Sequence, residues 1–143
     1  MSPFEREPRM PMLRRTGVLV LTATLVAAGG ASAAQAQSSQ TSASSRNKSI
    51  AKPLVAARGW NKAQFRCLEK LWARESGWNH RAGNRSSGAY GIPQALPGHK
   101  MASSGRDWRT NPRTQIKWGL SYIKQRYSTP CRAWAHFQSH RWY

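Results

Sequence analysis

The sequence predicts a small, mainly α-helical domain at the C-terminal end of a 143-residue chain. Three observations predict it. Apolar side chains recur at helical spacing from Phe65 to Trp72 and again from Ile116 to Tyr127. An asparagine heads each run, Asn61 and Asn111. Between the runs, Gly77, Gly83, Gly88, Gly91, Gly98 and Gly105 break residues 76–108 into loops, with room for a short β-turn or hairpin element.

Residues 1–36 read as an export signal. Arg9, Arg14 and Arg15 make the positive head, and the apolar stretch runs from Val18 to Ala28. Ala34-Gln35-Ala36 is the better cleavage site and Ala31-Ser32-Ala33 the alternative. The apolar run is too short to span a bilayer, and it carries Thr22 and Thr24. A secreted protein with no membrane span is expected. Arg14-Arg15 gives only a weak twin-arginine match. Residues 37–50, rich in Ser, Gln and Thr, are expected to be a flexible spacer, and 51–143 the folded domain.

Within that domain Asn61 is the expected cap of the first helix, with Gln64 completing a capping box and Trp60 as a staple. At about 100° per residue, Phe65, Leu68, Trp72 and Glu75 share one face. Glu75 therefore continues the apolar stripe at its C-terminal end. Glu69 lies at the border of the basic face and is expected to pair with Arg66. In the next helix, Asn111 caps and Pro112 takes the first position. Gly119 inside this helix costs about 1 kcal/mol against Ala, so it predicts close packing on a neighbour. A third, short helix is expected over 131–138, with Trp134 and Phe137 inward.

Cys67 and Cys131 are the only cysteines, and export implies an oxidising compartment, so a disulfide between the first and last helices is the default. His136 and His140 lie four apart, but nothing near the cysteines has a zinc spacing, and no metal is expected.

After cleavage at Ala36, 19 Lys and Arg face three acids, 19 − 3 = +16. Such a charge asks for an anionic partner or serves solubility. In an exported protein, anionic cell-wall polymers fit better than nucleic acid, which is not expected. The three acids are Glu69, Glu75 and Asp107. Glu75, set between Trp72 and Trp78, has the surroundings of a general acid with a raised pKa. A carboxylate at a helix C-terminus opposes the macrodipole, which makes it a poor structural choice there.

Glu75-Ser76-Gly77-Trp78, then Gly88-Ala89-Tyr90-Gly91-Ile92-Pro93-Gln94, then Asn111-Pro112 leading into Gln115–Ile123, resemble the lytic transglycosylases. More closely, they look like small secreted actinobacterial members with a lysozyme-like (α+β) domain and a glycan-binding cleft. Each block alone is unspecific; three in order with compatible spacing are specific. The resemblance covers about Ala57 to Tyr143. It implies that Glu75 is the catalytic acid and that Ser76 hydrogen-bonds near it. It also implies that Tyr90 and Gln94 line the cleft, and that Tyr122 faces the acid from a later helix. Pro93 departs from the pattern, where many relatives carry a larger apolar residue. Peptidoglycan glycan strands are the implied partner, the protein is expected to be a monomer, and no cofactor is implied.

Ordinary glycoside hydrolases flank the bond with two carboxylates. Glu69 lies about 240° round the helix from Glu75, and Asp107 sits between Arg106 and Arg109 in a turn. A one-acid site suits the reaction of the lytic transglycosylases, in which the muramoyl C6 hydroxyl, not water, attacks the anomeric carbon. Two other readings stay open: a water-using muramidase of the same fold, and a non-catalytic cationic wall-binding protein.

Overall fold

The chain from Gly30 to Ala56 forms one long helix, α1. The computed structural model describes residues 30–143, so the charged head and apolar stretch of the export signal lie outside the described residues. The structure differs from expectation over 37–50. That segment lies within α1, where a flexible chain was expected. Its Ala, Gln and Ser residues lack an apolar stripe, yet they contain no helix breaker before Pro53. Ser and Thr hydroxyls bond carbonyls of the preceding turn, as in Ser38 to Gln35 and Thr41 to Gln37, both 2.9 Å. Tertiary contacts hold the far end. Ser44 Oγ donates to the Gly77 carbonyl at 2.6 Å, and buried Asn47 donates to that of Trp78 at 2.9 Å. Ala51, Leu54 and Val55 enter the core.

Helix α2 spans Lys62–Ser76. The Asn61 side chain accepts from the amides of Ala63 (3.0 Å) and Gln64 (3.2 Å), as a cap should. The expected capping box is not completed. Gln64 Oε1 instead accepts from the backbone N–H of Cys131 at 2.9 Å, because the last helix lies across this end of α2. Glu69 pairs with Lys48 of α1 at 3.8 Å rather than with Arg66, since the docked helix brings that ammonium alongside. Trp60 is buried before α2 begins.

Helix α3 spans Pro112–Tyr127, with Asn111 capping the amide of Arg113, and α4 spans Pro130–His140. Cys67 of α2 and Cys131 of α4 are joined, with Cα atoms 4.9 Å apart. In the chain-entropy model a closed loop of 64 residues stabilises by about 4 kcal/mol. Phe137 of α4 is buried and Trp134 stacks on it at 5.6 Å. No helix among the described residues is long and apolar enough to cross a membrane.

The connection between α2 and α3 contains one short 3-10 helix, Gly98–Ser104, and two isolated bridges, Gly83 with Tyr90 and Tyr90 with Ala95. The β-element expected here is thus a tight turn. One side chain ties the segment to α3. Fully buried Gln115 accepts from the Ile92 amide at 2.9 Å and donates to the carbonyls of His80 (2.9 Å) and Trp108 (2.8 Å). Gly91 has φ +78°, and any side chain there would meet the Gln115 amide at 2.5 Å. Replacing Gln115 by Ala leaves two buried backbone groups, the Ile92 amide and the Trp108 carbonyl, unpaired, each costing about 1–3 kcal/mol, and frees the partly buried His80 carbonyl. Amide exchange should quicken at Ile92 and across 80–108 before the helices open; unchanged protection there would contradict this role.

Gly119 behaves as its position in a helix suggested. A Cβ there would stand 2.7 Å from Trp72 Cζ2 and 3.0 Å from Pro93 Cβ, so α3 comes as close to α2 as a glycine allows. Both neighbours are buried and cannot swing away. Gly119→Ala gains about 1 kcal/mol of helix propensity but overpacks this contact, so a net loss of about 1–2 kcal/mol is expected. Urea unfolding checks it: a variant midpoint above the parent's would show that the contact can relax.

Candidate active site

Glu75 lies one residue before the end of α2 on the face that carries Leu68, Leu71 and Trp72 into the core. Gly77 then turns left-handed, φ 61°, and closes the helix with its amide on the Ala73 carbonyl at 3.1 Å. Trp78 follows with φ 62°, a conformation costly for a bulky residue. Its surroundings hold it there. The indole N–H donates to the Glu69 carbonyl at 3.2 Å, and the ring meets that of Trp72 edge-on at 5.0 Å.

The Glu75 carboxyl is 1 % exposed, and neither oxygen has a hydrogen-bond partner. Burial pushes its pKa up from the ordinary 4.5 to about 8. At neutral pH the side chain is a protonated acid in a dry place, as a proton donor to a glycosidic oxygen must be.

Around this acid the structure gathers some of the expected residues and sets others apart. Ser76, at the end of α2, donates to the Ile92 carbonyl at 2.8 Å, so it fastens the 91–94 turn beside the acid. Gln94 is fully buried with φ 50°, and its amide nitrogen donates to the carbonyls of Gly91 (2.9 Å) and Ala82 (3.2 Å). Its Oε1 is unpaired. Tyr122 is buried, stacked on Trp118 at 5.4 Å, and meets Tyr127 and Tyr143 edge-on at 6.3 and 5.8 Å. Tyr90 turns elsewhere: its half-buried ring packs on Trp108 at 5.5 Å, and its hydroxyl donates to the Arg109 carbonyl at 2.9 Å.

Neither remaining acid among the described residues resembles Glu75. Asp107 is exposed and takes Thr114 Oγ1 at 2.7 Å and Asn111 Nδ2 at 2.6 Å, which hold it below the usual carboxylate range. It braces the start of α3. Glu69 is partly exposed in its pair with Lys48. His136 and His140 stack in parallel at 4.1 Å.

Sequence reasoning missed Tyr143. It is fully buried; its hydroxyl accepts from the Trp72 indole N–H at 2.8 Å and donates to the Pro93 carbonyl at 3.0 Å. Burial first, and then the nearby Glu75, push its phenol well above the ordinary range. Three residues beyond the end of α4, it has no periodicity to mark it.

The family model described as "Transglycosylase SLT domain" matches residues 56–139, more than half of the chain. The chain belongs to this family. No curated protein and no solved structure matches it. The SLT match spans Glu75, Ser76, Tyr90, Gln94 and Tyr122, and both cysteines; Tyr143 lies beyond it. Membership makes this a lytic transglycosylase-type domain, an enzyme class that acts on peptidoglycan. With the disulfide, an SLT domain points to a place outside the cytoplasm. The mainly helical architecture is that of a small lysozyme-like SLT domain.

The raised acid has a consequence for stability. Between pH 4.5 and about 8 the folded chain keeps the Glu75 proton and the unfolded chain has released it. Unfolding therefore releases a proton, and stability falls as pH rises through that window, by up to about 5 kcal/mol. Glu75→Gln removes this slope. Denaturant unfolding of parent and variant from pH 4 to 9 should show the variant gaining relative stability as pH rises. Parallel curves would mean that the carboxyl ionises freely.

Proposed function

We propose that the protein is a lytic transglycosylase that cleaves the β-1,4 bond between N-acetylmuramic acid and N-acetylglucosamine without water. The observation that supports this most is Glu75 itself: buried, protonated and unpaired, with the other described acids either bonded or ion-paired at the surface. Family membership supplies the substrate class.

In this reading Glu75 Oε donates its proton to the glycosidic oxygen, and the bond to N-acetylglucosamine breaks. The substrate's own acetamido group assists as positive charge grows on the muramoyl ring. Glu75, now a carboxylate, takes the proton of the muramoyl C6 hydroxyl as that oxygen bonds the anomeric carbon. A 1,6-anhydro end forms and the acid is regenerated. No second carboxylate is needed, and none among the described residues is paired with Glu75 as a hydrolase would require. At 1 % exposure, the carboxyl meets the sugar only once a covering side chain moves aside. Gln94 Oε1, unpaired, is an acceptor for a sugar hydroxyl or amide, and the half-buried Tyr90 ring offers a face to a pyranose. Ser76 and Tyr122 serve the substrate through the walls of the site rather than through free polar atoms. The protein works as a secreted, monomeric enzyme on the cell wall, where its positive surface meets anionic polymers.

Mass analysis of fragments released from purified peptidoglycan tests the reaction. Ends one water lighter than a reducing sugar are expected; reducing ends would make the protein a muramidase. Glu75→Gln should lower the rate by about 10²–10⁴-fold. In the parent, kcat/KM should fall as pH rises through about 8, where the acid loses its proton. A folded Glu75→Gln variant with full activity would remove Glu75 from the mechanism.

A further inference from the structure

Glu75 and Trp72 lie three apart on α2, so their side chains leave the same face of the helix. Trp72 is held from two sides. Gly119 of α3 lies against its ring, and its indole N–H is spent on Tyr143 Oη at 2.8 Å. The same phenol spends its own proton on the Pro93 carbonyl at 3.0 Å, in the turn that Ser76 also grips through Ile92. Its one proton is thus committed to Pro93 and is not donated to Glu75. What it offers the acid is a ring and a brace. Tyr143 is 0 % exposed, packs edge-on against Tyr122 at 5.8 Å and lies tilted against Tyr127 at 6.2 Å, so three phenol rings from α3 and the segment after α4 cluster together.

We propose that Tyr143 is a positioning residue for Glu75: its ring keeps water from the carboxyl, and its hydroxyl locks the end of α2 to the 91–94 turn. The inference rests on the reading of Glu75 as the proton donor. Tyr143 acts on the acid without touching the sugar, and it lies outside the residues matched by the family model. The titratable and charged groups gathered on this side are the phenols of Tyr122, Tyr127 and Tyr143, His136 of α4 at 5.2 Å from Tyr127, and Arg126 of α3, whose guanidinium lies 5.9 Å from the Tyr127 ring. No Lys or Arg forms an ion pair with Glu75 among the described residues, so the dryness of the site governs its proton.

Two variants of the full chain separate ring from hydroxyl. Tyr143→Ala opens a path for water, and the alkaline limb of kcat/KM should move down by one pH unit or more. Tyr143→Phe keeps the ring and removes both hydrogen bonds. Its limb should stay within about 0.3 unit of the parent's while its melting temperature drops. The infrared carbonyl band of the protonated Glu75 carboxyl, identified by its loss in Glu75→Gln, reads the same proton without reference to activity. It should vanish at lower pH in Tyr143→Ala than in the parent. If Glu75 is not the catalytic acid, this band still shifts while the activity limb does not, which separates the two claims. A Tyr143→Ala variant that folds with both limb and band unmoved overturns the inference. So does one more active than the parent, which would make Tyr143 a plug. If Tyr143→Ala does not fold, a limb or band lowered by a unit in Tyr143→Phe overturns it alone, because the ring is still present.

Discussion

A carboxylic acid with neither oxygen hydrogen-bonded can sit in a protein interior only while it is neutral. Glu75 meets that condition because burial lifts its pKa to about 8, and burial in turn depends on everything packed around the end of α2. A charge there would lack both water and a partner. The structure around Glu75 is therefore constrained in one direction: any opening that admits water also discharges the proton the site needs. Stability is lost in the pH range where the acid would otherwise ionise, and the polar group is kept where an apolar one would pack better. Such a cost without structural return is what a functional group looks like in a fold.

The rest of the architecture serves that constraint at a distance. The disulfide ties α2 to α4, so the helix that carries Glu75 cannot part from the helix that leads to Tyr143. Gly119 lets α3 press on the Trp72 ring and on Pro93 at once. Gln115 spends its whole amide on holding three points of the long connection to α3. Asn47 and Ser44 of α1 take the carbonyls of Trp78 and Gly77, which the left-handed turn at the end of α2 would leave without helical partners. Each contact fixes a different piece of the chain.

What the sequence revealed, it revealed where one local rule acts strongly. Asn61 and Asn111 cap as their side-chain chemistry demands, and the phase of α2 alone put Glu75 on the buried face. Gly119 announced a close approach because helical glycine has little other reason to be there. The failures share a cause as well: tertiary contacts chose between locally equal options. Gln64 could have bonded its own helix, but the Cys131 amide lay nearer, and Glu69 likewise took Lys48 over Arg66. Residues 37–50 carry no stripe, so nothing local distinguishes a helix from a spacer. Tyr143 is decisive in space and silent in sequence, since its partners come from 72, 93, 122 and 127.

The central claim is that Glu75 stays protonated at neutral pH because its surroundings are dry. The most direct measurement is the carbon-13 shift of its side-chain carboxyl, followed by pH titration with glutamate selectively labelled and assigned against Glu75→Gln. A transition near 8 is expected for Glu75. A transition near 4.5 would contradict it.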